Sequence, residues 1–312
     1  MMESSRRDRK IKKRKRKKWF VILLILIVLI LTALLYAVVE YRKGLKNSQN
    51  DSFLPHEKVE FQGVKDKERM NVLLLGVDAR GNEKARADTI MIAQYNRKTK
   101  QAKIASIMRD SYVDIPGYGK NKINAAYAYG GPELLRKTIK ENFDVDIAYF
   151  ALVDFKGFTK AIDVAFPEGI EINVEKEMSK GIGVTLHPGV QRLHGNELLG
   201  YVRFRKDAES DFGRVRRQQE VVKRVMDEFI SVRGIAKLPS VVGTIRPYIL
   251  TNVGYKEVLP LLATFPGSDQ KDISFFRIPI DGSFRDATYP QAGAVLEMDL
   301  AKNRQALKEF LK

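Results

Sequence analysis

The sequence predicts an α/β protein: a mixed central β-sheet covered by helices on both faces, preceded by one transmembrane helix. Three observations carry that expectation. An unbroken apolar run covers Trp19 to Val39, three short apolar runs follow one another closely after residue 70, and strand and helix patterns alternate from about residue 132 onward. The chain has 312 residues, 44% of them hydrophobic, enough for one large domain or two small ones with a real core.

In the run WFVILLILIVLILTALLYAVV only Thr32 is mildly polar. At about 1.5 Å per helical residue, it matches a hydrocarbon core of about 30 Å. Met1 to Lys18 holds eleven Lys or Arg against Glu3 and Asp8, roughly half of the formal +17. The positive-inside rule then makes residues 1–18 a cytoplasmic basic tail, 19–39 the span, 40–67 an extracellular tether and 68–312 an extracellular domain. A cleaved signal peptide fits less well, because the run is long for one and no A-x-A-like site follows it. The tail's charges suit anionic lipid. Without interleaved aromatics they do not read as an arm for nucleic acid. With no cysteine in the chain, the domain has neither disulfides nor thiolate metal sites.

Within the domain, Asn71–Val77, Thr89–Tyr95 and Ala102–Met108 read as buried strands close enough to form a meander. Helical periodicity takes over at Gly131-Pro132, where proline suits a first turn and Leu134, Leu135, Ile139 and Phe143 share a face. A strand is expected at Ile147–Val153, a helix at Phe155–Val164, a strand at Gly169–Val174 and a helix at Gly195–Val202. Arg214–Ile230 has the clearest helical pattern, with Gln218, Val222, Val225 and Phe229 along one side. Helices over Ile235–Ile245 and Tyr255–Phe265, a strand at Ile273–Ile278 and a closing helix at Leu296–Leu311 complete the reading. The alternation calls for a sheet covered on both faces, and the meander makes it mixed.

Three clusters could carry chemistry. Asp78 and Arg80 end the first strand, and Arg86 and Asp88 begin the second. Two carboxylates there could hold a hard cation such as Mg²⁺, or could simply cap turns. Arg109-Asp110 follows the third strand, where ligands collect in open sheets; an ion pair to Asp110 or Asp114 is the plainer alternative. The third cluster is Tyr201-Val-Arg203-Phe-Arg205 and Asp211-Phe-Gly-Arg214-Val-Arg-Arg-Gln218. Arg203 and Arg205 alternate as on an extended segment. Arg214 and Gln218 share the face of a helix start, where free N–H groups suit an anion. Four converging arginines would repel one another without an anionic partner, whereas Arg216, Arg217, Lys223 and Arg224 read as a solvated face. There is no G-x-x-x-x-G-K-[ST], G-x-S-x-G or H-E-x-x-H motif, and only three histidines, of which His187 and His194 are assigned no role. What remains is a cation and arginines around a phosphorylated ligand, a site acting by electrostatic stabilisation.

These clusters, in this order and spacing, resemble the LytR-CpsA-Psr family of Gram-positive cell-envelope proteins. The segments that carry the resemblance are NVLLLGVDAR, RADTIMI, IASIMRDSYVDIPGYGKNKINAAYAYGG, LHGNELLGYVRFR and DFGRVRRQQ, spanning Asn71 to Gln219. A local departure is Asp163-Val-Ala-Phe-Pro-Glu-Gly169, where the family usually has a glycine pair. The resemblance implies a membrane-anchored phosphotransferase. It would move an anionic glycopolymer, wall teichoic acid first among them, from an undecaprenyl pyrophosphate carrier to a muramic acid hydroxyl of peptidoglycan. It also implies that Asp78 and Asp88 hold Mg²⁺ or Mn²⁺, and that Arg80, Arg86, Arg109, Arg203, Arg205, Arg214 and Gln218 surround the pyrophosphate, with Asp211 nearby. Asp78 or Asp211 would take the hydroxyl proton. A non-catalytic polyprenyl-pyrophosphate or glycan sensor, or an envelope-linked transcriptional attenuator, remains the alternative. The apolar segments Phe150–Ala165 and Leu198–Val202 suit either a core or a lipid groove, and the resemblance favours the groove.

Overall fold

In the computed structural model of the chain, the described residues are 32, 35–46, 59–78, 86–230, 239–244, 246–254, 256–257 and 273–312. The basic tail, most of the expected span Trp19–Val39 and most of the helix expected at Tyr255–Phe265 lie outside them. Among the described residues no helix is long and apolar enough to cross a membrane.

Three runs of alternating burial form the expected antiparallel meander: β1 (Arg69–Val77), β2 (Ala87–Asn96) and β3 (Ala102–Ile107). A polar hairpin follows, β4 (Ser111–Ile115) and β5 (Gly119–Lys122). It leads into helix α1 (Ile123–Phe143). Strand β6 (Tyr149–Asp154) runs parallel to β1 and feeds α2 (Phe155–Ala165). Next come β7 (Ile170–Val174), β8 (Gly189–Leu193), α3 (Gly195–Arg203) and α4 (Ser210–Ile230). The chain closes with β9 (Ile249–Thr251), β10 (Ser274–Ile278), β11 (Phe284–Tyr289), β12 (Gly293–Met298) and α5 (Leu300–Phe310). The central sheet has the mixed order β10-β3-β2-β1-β6-β9. A four-stranded sheet, β11-β12-β4-β5, and the β7–β8 ribbon stand beside it.

One face of the central sheet (Leu73, Leu75, Ile90, Ile92, Ala105) is buried with Leu135, Ile139 and Phe143 of α1 and Leu307 of α5. Over the other face lies α4, whose Gln219 amide donates to the Ser106 hydroxyl at 3.0 Å and to the Phe276 carbonyl at 2.9 Å. A second core joins α2, α3 and α4 to the β7–β8 ribbon through Ile162, Ala165, Ile172, Leu193, Leu198 and Val221. The segments that suited either a core or a lipid groove are therefore packed as core at Phe150, Leu152, Ile162, Ala165, Leu198 and Tyr201. Gly195 is required where α3 crosses α2, since a Cβ there would come within 2.3 Å of the Thr159 carbonyl oxygen. The departure at Asp163–Gly169 forms a turn into β7, in which Gly169 takes a φ of +74°.

Several boundaries differ from the sequence expectation. The helix expected from Pro132 begins at Ile123 and breaks at Gly130-Gly131, the latter with φ 62°; the glycine pair hides a first segment without amphipathic period. Leu296 to Met298 belong to β12, and the closing helix starts only after Asp299, whose side chain accepts from the Lys302 N–H at 3.0 Å. Of the helix expected at Ile235–Ile245, residues 239–244 are described and helical. Residues 41–46, expected as irregular tether, continue a helix, and a Cβ on Gly44 would lie 2.2 Å from the Ser240 carbonyl oxygen.

Buried Asn142 fastens α1 to β4, donating to the Asp114 carbonyl at 2.7 Å and accepting from the Asp114 N–H at 3.1 Å. Asn142→Ala would strand both backbone groups and is expected to lower the unfolding free energy by about 1–3 kcal/mol. Urea denaturation followed by circular dichroism measures it.

Candidate active site

The strand directions gather the expected residues at one edge of the central sheet. β1 and β3 end there just before Asp78 and Arg109, β2 starts there at Ala87 with Asp88 next, and β6 ends there before Phe155. In the β1–β2 pairing, Gly76 faces Thr89 and Val77 faces Ala87, so Asp88 is the extra residue of a β-bulge. A bulge re-aims the side chain it carries. Asp88 thereby meets Arg109, whose Nη1 lies 2.6 Å from its Oδ1. The backbone around Arg109 is held between sheets: the Asn124 N–H donates to the Arg109 carbonyl at 3.3 Å and the Leu296 N–H to that of Asp110 at 2.8 Å.

Arg109 is the hub of the charge network. Its Nε lies 3.4 Å from Asp110 and 3.3 Å from Asp211. Asp211 is also shared by Arg205, at 3.5 Å, and Arg214, at 3.3 Å. Arg203 stands over the Phe155 ring at 4.8 Å and 3.7 Å from Asp78. The expected repulsion among four arginines is thus relieved within the protein, because carboxylates interleave them. The ion pair weighed for Arg109 forms with Asp110 and not with Asp114, whose backbone is bound by Asn142 instead.

Burial and charge pull in opposite directions here. Burial opposes the charge on Arg109, but Asp211, Asp110 and Asp88 outweigh it and raise its pKa. Arg214, with a side chain only 6% exposed, is pushed down to about 10 by burial first and by Arg109 next. Its Nε has no hydrogen-bond partner. Burial also opposes the Asp211 carboxylate, yet Arg214, hydrogen bonding with Asp110, Arg109 and Arg205 hold it below the usual carboxylate range. Asp88, Arg109, Arg203, Arg205 and Arg214 line a cleft of about 140 Å³ together with Gln218, Lys180 and Lys206. A cleft of that size, rich in cations, suits phosphate groups.

Not every expected residue arrives as expected. Arg203 is the last residue of α3 and only Phe204 and Arg205 follow as extended chain, so the two arginines do not share one strand. Helix α4 begins at Ser210, one turn before Arg214, and its first turn holds Asp211. Arg86 is exposed, and no ion pair joins it to the network among the described residues. Arg80 lies outside the described residues. Arg217, grouped by sequence with the solvated face, is fully buried. Its guanidinium donates to Glu175 at 2.9 Å, to Asp207 at 3.1 Å and to the Phe204 carbonyl at 2.8 Å, tying α4 to the segment that carries Arg205. Arg216 pairs with Glu175 and Glu209, while Lys223 and Arg224 are exposed as expected. Sequence reasoning also missed Phe155, Lys180 and Lys206. Only the two lysines beside glycine and arginine carried a signal, as additional charge. His194, given no role, starts α3, where its N–H donates to Glu197 at 2.9 Å.

Asp78 and Asp88, at the same end of the β1–β2 pair, supply the hard oxygen donors that Mg²⁺ takes, with water and substrate phosphate completing its shell. They are the donor type that such a cation takes, and each is paired with an arginine, Asp88 with Arg109 and Asp78 with Arg203. Elsewhere Glu175, Asp207 and Glu209 bring carboxylate oxygens within 4.8 Å of one another, but Arg216 and Arg217 already neutralise them.

The family model described as LytR_cpsA_psr matches residues 35–308. Regulatory protein MsrR of Staphylococcus aureus (strain COL) is 45% identical over 280 residues, 89% of this chain and 85% of its own. Polyisoprenyl-teichoic acid–peptidoglycan teichoic acid transferase TagT of Bacillus subtilis (strain 168) is 36% identical over 208 residues, 62% of this chain and 63% of its own. A solved structure of TagT bound to LIIa-WTA superposes with a TM-score of 0.64 at 29% identity, covering 83% of this chain and 98% of that one.

Truncating Arg217 would leave Asp207 and Glu175 without their buried partner. Arg217→Ala is expected to lose about 3–5 kcal/mol of stability. Chemical denaturation reads the loss, and a change within experimental error would show that the buried pairs contribute nothing net.

Proposed function

The chain belongs to the LytR-CpsA-Psr family, and on that premise we propose that it is a phosphotransferase. It moves an anionic glycopolymer, wall teichoic acid foremost, from undecaprenyl pyrophosphate to a muramic acid hydroxyl of peptidoglycan and releases undecaprenyl phosphate. The observation that carries this reading is the convergence of Arg109, Arg205 and Arg214 on the single carboxylate of Asp211, in a cleft that Arg203 also lines. Such an array is built for an anion with several oxygens. TagT, whose name gives it teichoic acid transfer and whose fold this chain shares, supports the same chemistry.

In the proposed reaction the hydroxyl oxygen attacks the sugar-linked phosphorus. A new P–O bond forms, the bond to the bridging oxygen breaks, and its electron pair leaves with undecaprenyl phosphate. Arg109, Arg203 and Arg214 absorb the charge that develops on the transferring and leaving oxygens. Asp211, held charged by its arginines, is a poor proton acceptor. Asp78 is paired with Arg203 in the same way, and one of these two carboxylates takes the hydroxyl proton. Mg²⁺, held by Asp78 and Asp88, supplies further charge neutralisation on phosphate oxygens when bound. The polyisoprenyl tail is assigned to the side where Val202 joins the cleft to the partly buried Phe158, Val164 and Val184. The domain works outside the cell, anchored by residues 19–39, with residue 1 in the cytoplasm.

A second reading, regulation without turnover, is favoured by the name of the 45% identical relative, Regulatory protein MsrR. Incubation of the protein with defined lipid-linked donors and peptidoglycan oligomers separates the two. Transfer product is expected, reduced at least ~100-fold in Asp78→Ala or Asp88→Ala, the several kcal/mol that metal charge stabilisation supplies. Unchanged turnover with excess chelator would remove the metal from the reading. Replacing Arg109 or Arg214 by Ala removes charge-assisted bonds of about 1.5–3 kcal/mol each, so affinity for a synthetic polyprenyl pyrophosphate is expected to fall roughly tenfold or more. Wild-type affinity in both variants would reduce these arginines to a structural role.

A further inference from the structure

The ion pair between Arg109 and Asp211 stands between two clefts with different linings. On one side is the arginine-lined cleft. On the other, a cleft of about 560 Å³ is walled by residues 208–212 at the start of α4 and by the β11–β12 hairpin. Its charged lining consists of Asp110, Glu209, Asp211 and Asp286, with no lysine or arginine among the described residues that line it. The rest is apolar or bears hydroxyls, including Phe212, Thr288 and Leu296. Resting on the transferase reading, we propose that this second cleft is the acceptor subsite: it takes a phosphate-free, hydroxyl-rich glycan and presents a hydroxyl to the donor phosphate.

Three features point to this occupant. The first is size. The second cleft has the volume of an ordinary small-ligand site, whereas the arginine cleft has room for phosphates only. The second is polarity. Carboxylates accept hydrogen bonds from sugar hydroxyls, and among the described residues no lysine or arginine lines this cleft to engage a phosphate, so it suits the acceptor rather than the donor. Its apolar walls match the C–H faces of sugar rings. The third is position. Phosphoryl transfer places attacking and leaving oxygens roughly in line on opposite sides of phosphorus. Met108 and Asp110 line the second cleft while Arg109, between them, lines the first. Arg109 Nε is 3.4 Å from Asp110 and 3.3 Å from Asp211, so a hydroxyl on the acidic side is one ion pair away from a phosphate on the basic side.

The test uses the full chain in detergent and two variants of the hairpin wall, Thr288→Trp, which fills the cleft, and Asp286→Lys, which replaces one of its carboxylates by an ammonium. Binding of a short, phosphate-free peptidoglycan glycan oligomer is measured by calorimetry, beside binding of a synthetic polyprenyl pyrophosphate and the acceptor KM for transfer. Both variants are expected to lose at least tenfold in oligomer affinity and to raise the acceptor KM by a similar factor, with polyprenyl pyrophosphate affinity unchanged. Equal oligomer affinity in wild type and Asp286→Lys overturns the assignment, as does no oligomer binding by the wild type, or parallel loss of donor binding. Oligomer binding that both variants abolish, in a wild type that transfers nothing, keeps the glycan cleft and overturns the transferase reading instead.

Discussion

A guanidinium that is largely withdrawn from water needs carboxylates, and in this protein one arginine has three. Arg109 pairs with Asp88, Asp110 and Asp211, which come from a β-bulge, a strand end and the first turn of α4. Asp88 and Asp110 flank consecutive strands, whereas Asp211 lies 102 residues from Arg109, so the network is complete only when α4 is docked beside the edge of the central sheet. Leaving any member unpaired in the cleft would cost more than its contact returns, because burying a lone charge is expensive. The network therefore makes the site and the docking of α4 on the central sheet a single structural requirement.

The topology explains why the charges meet at one edge. Antiparallel pairing of β2 with β1 and β3 brings the start of one strand beside the ends of two others, and β6, parallel to β1, adds its own end. Helices α3 and α4 then deliver Arg203 and Arg214 from above that edge. Arg217 holds the segment between them by binding the Phe204 carbonyl and Asp207. It thereby supports the turn that carries Arg205, so a fully buried arginine one turn along α4 from Arg214 positions one that lines the cleft.

The buried strands of the meander, the β6–α2 unit and the long α4 were legible because their apolar periods are strong. The β4–β5 and β11–β12 hairpins were not. Strand β4 is short although buried, β5 reads Gly-Lys-Asn-Lys, β11 is exposed or half-buried throughout, and the hairpins are joined by pairing far along the chain, as between Leu296 and Ser111. Arg217 was misread for a related reason. Burial of a charge is set by partners such as Glu175 and Asp207, which a local pattern cannot reveal. For the site, the identities of the clustered residues were visible, but their pairing was not. The sequence displayed four arginines and invited the conclusion that they repel, whereas the carboxylate that joins three of them lies in the same motif as Arg214.

That shared carboxylate also bears on selectivity. An arginine cleft without internal counter-charge would hold any anion, including single phosphates. Here an incoming anion must compete with Asp211 for Arg109, Arg205 and Arg214. One phosphate group exchanges one anion for another and gains little beyond what the carboxylate already provides. A pyrophosphate brings enough oxygens to engage several guanidinium forks at once, so it alone turns the exchange into a net gain. The same displacement frees Asp211 on its other side, toward the acidic cleft, at the moment the donor is in place. On the proposed reading these ion pairs set a threshold of charge that favours a pyrophosphate over a single phosphate.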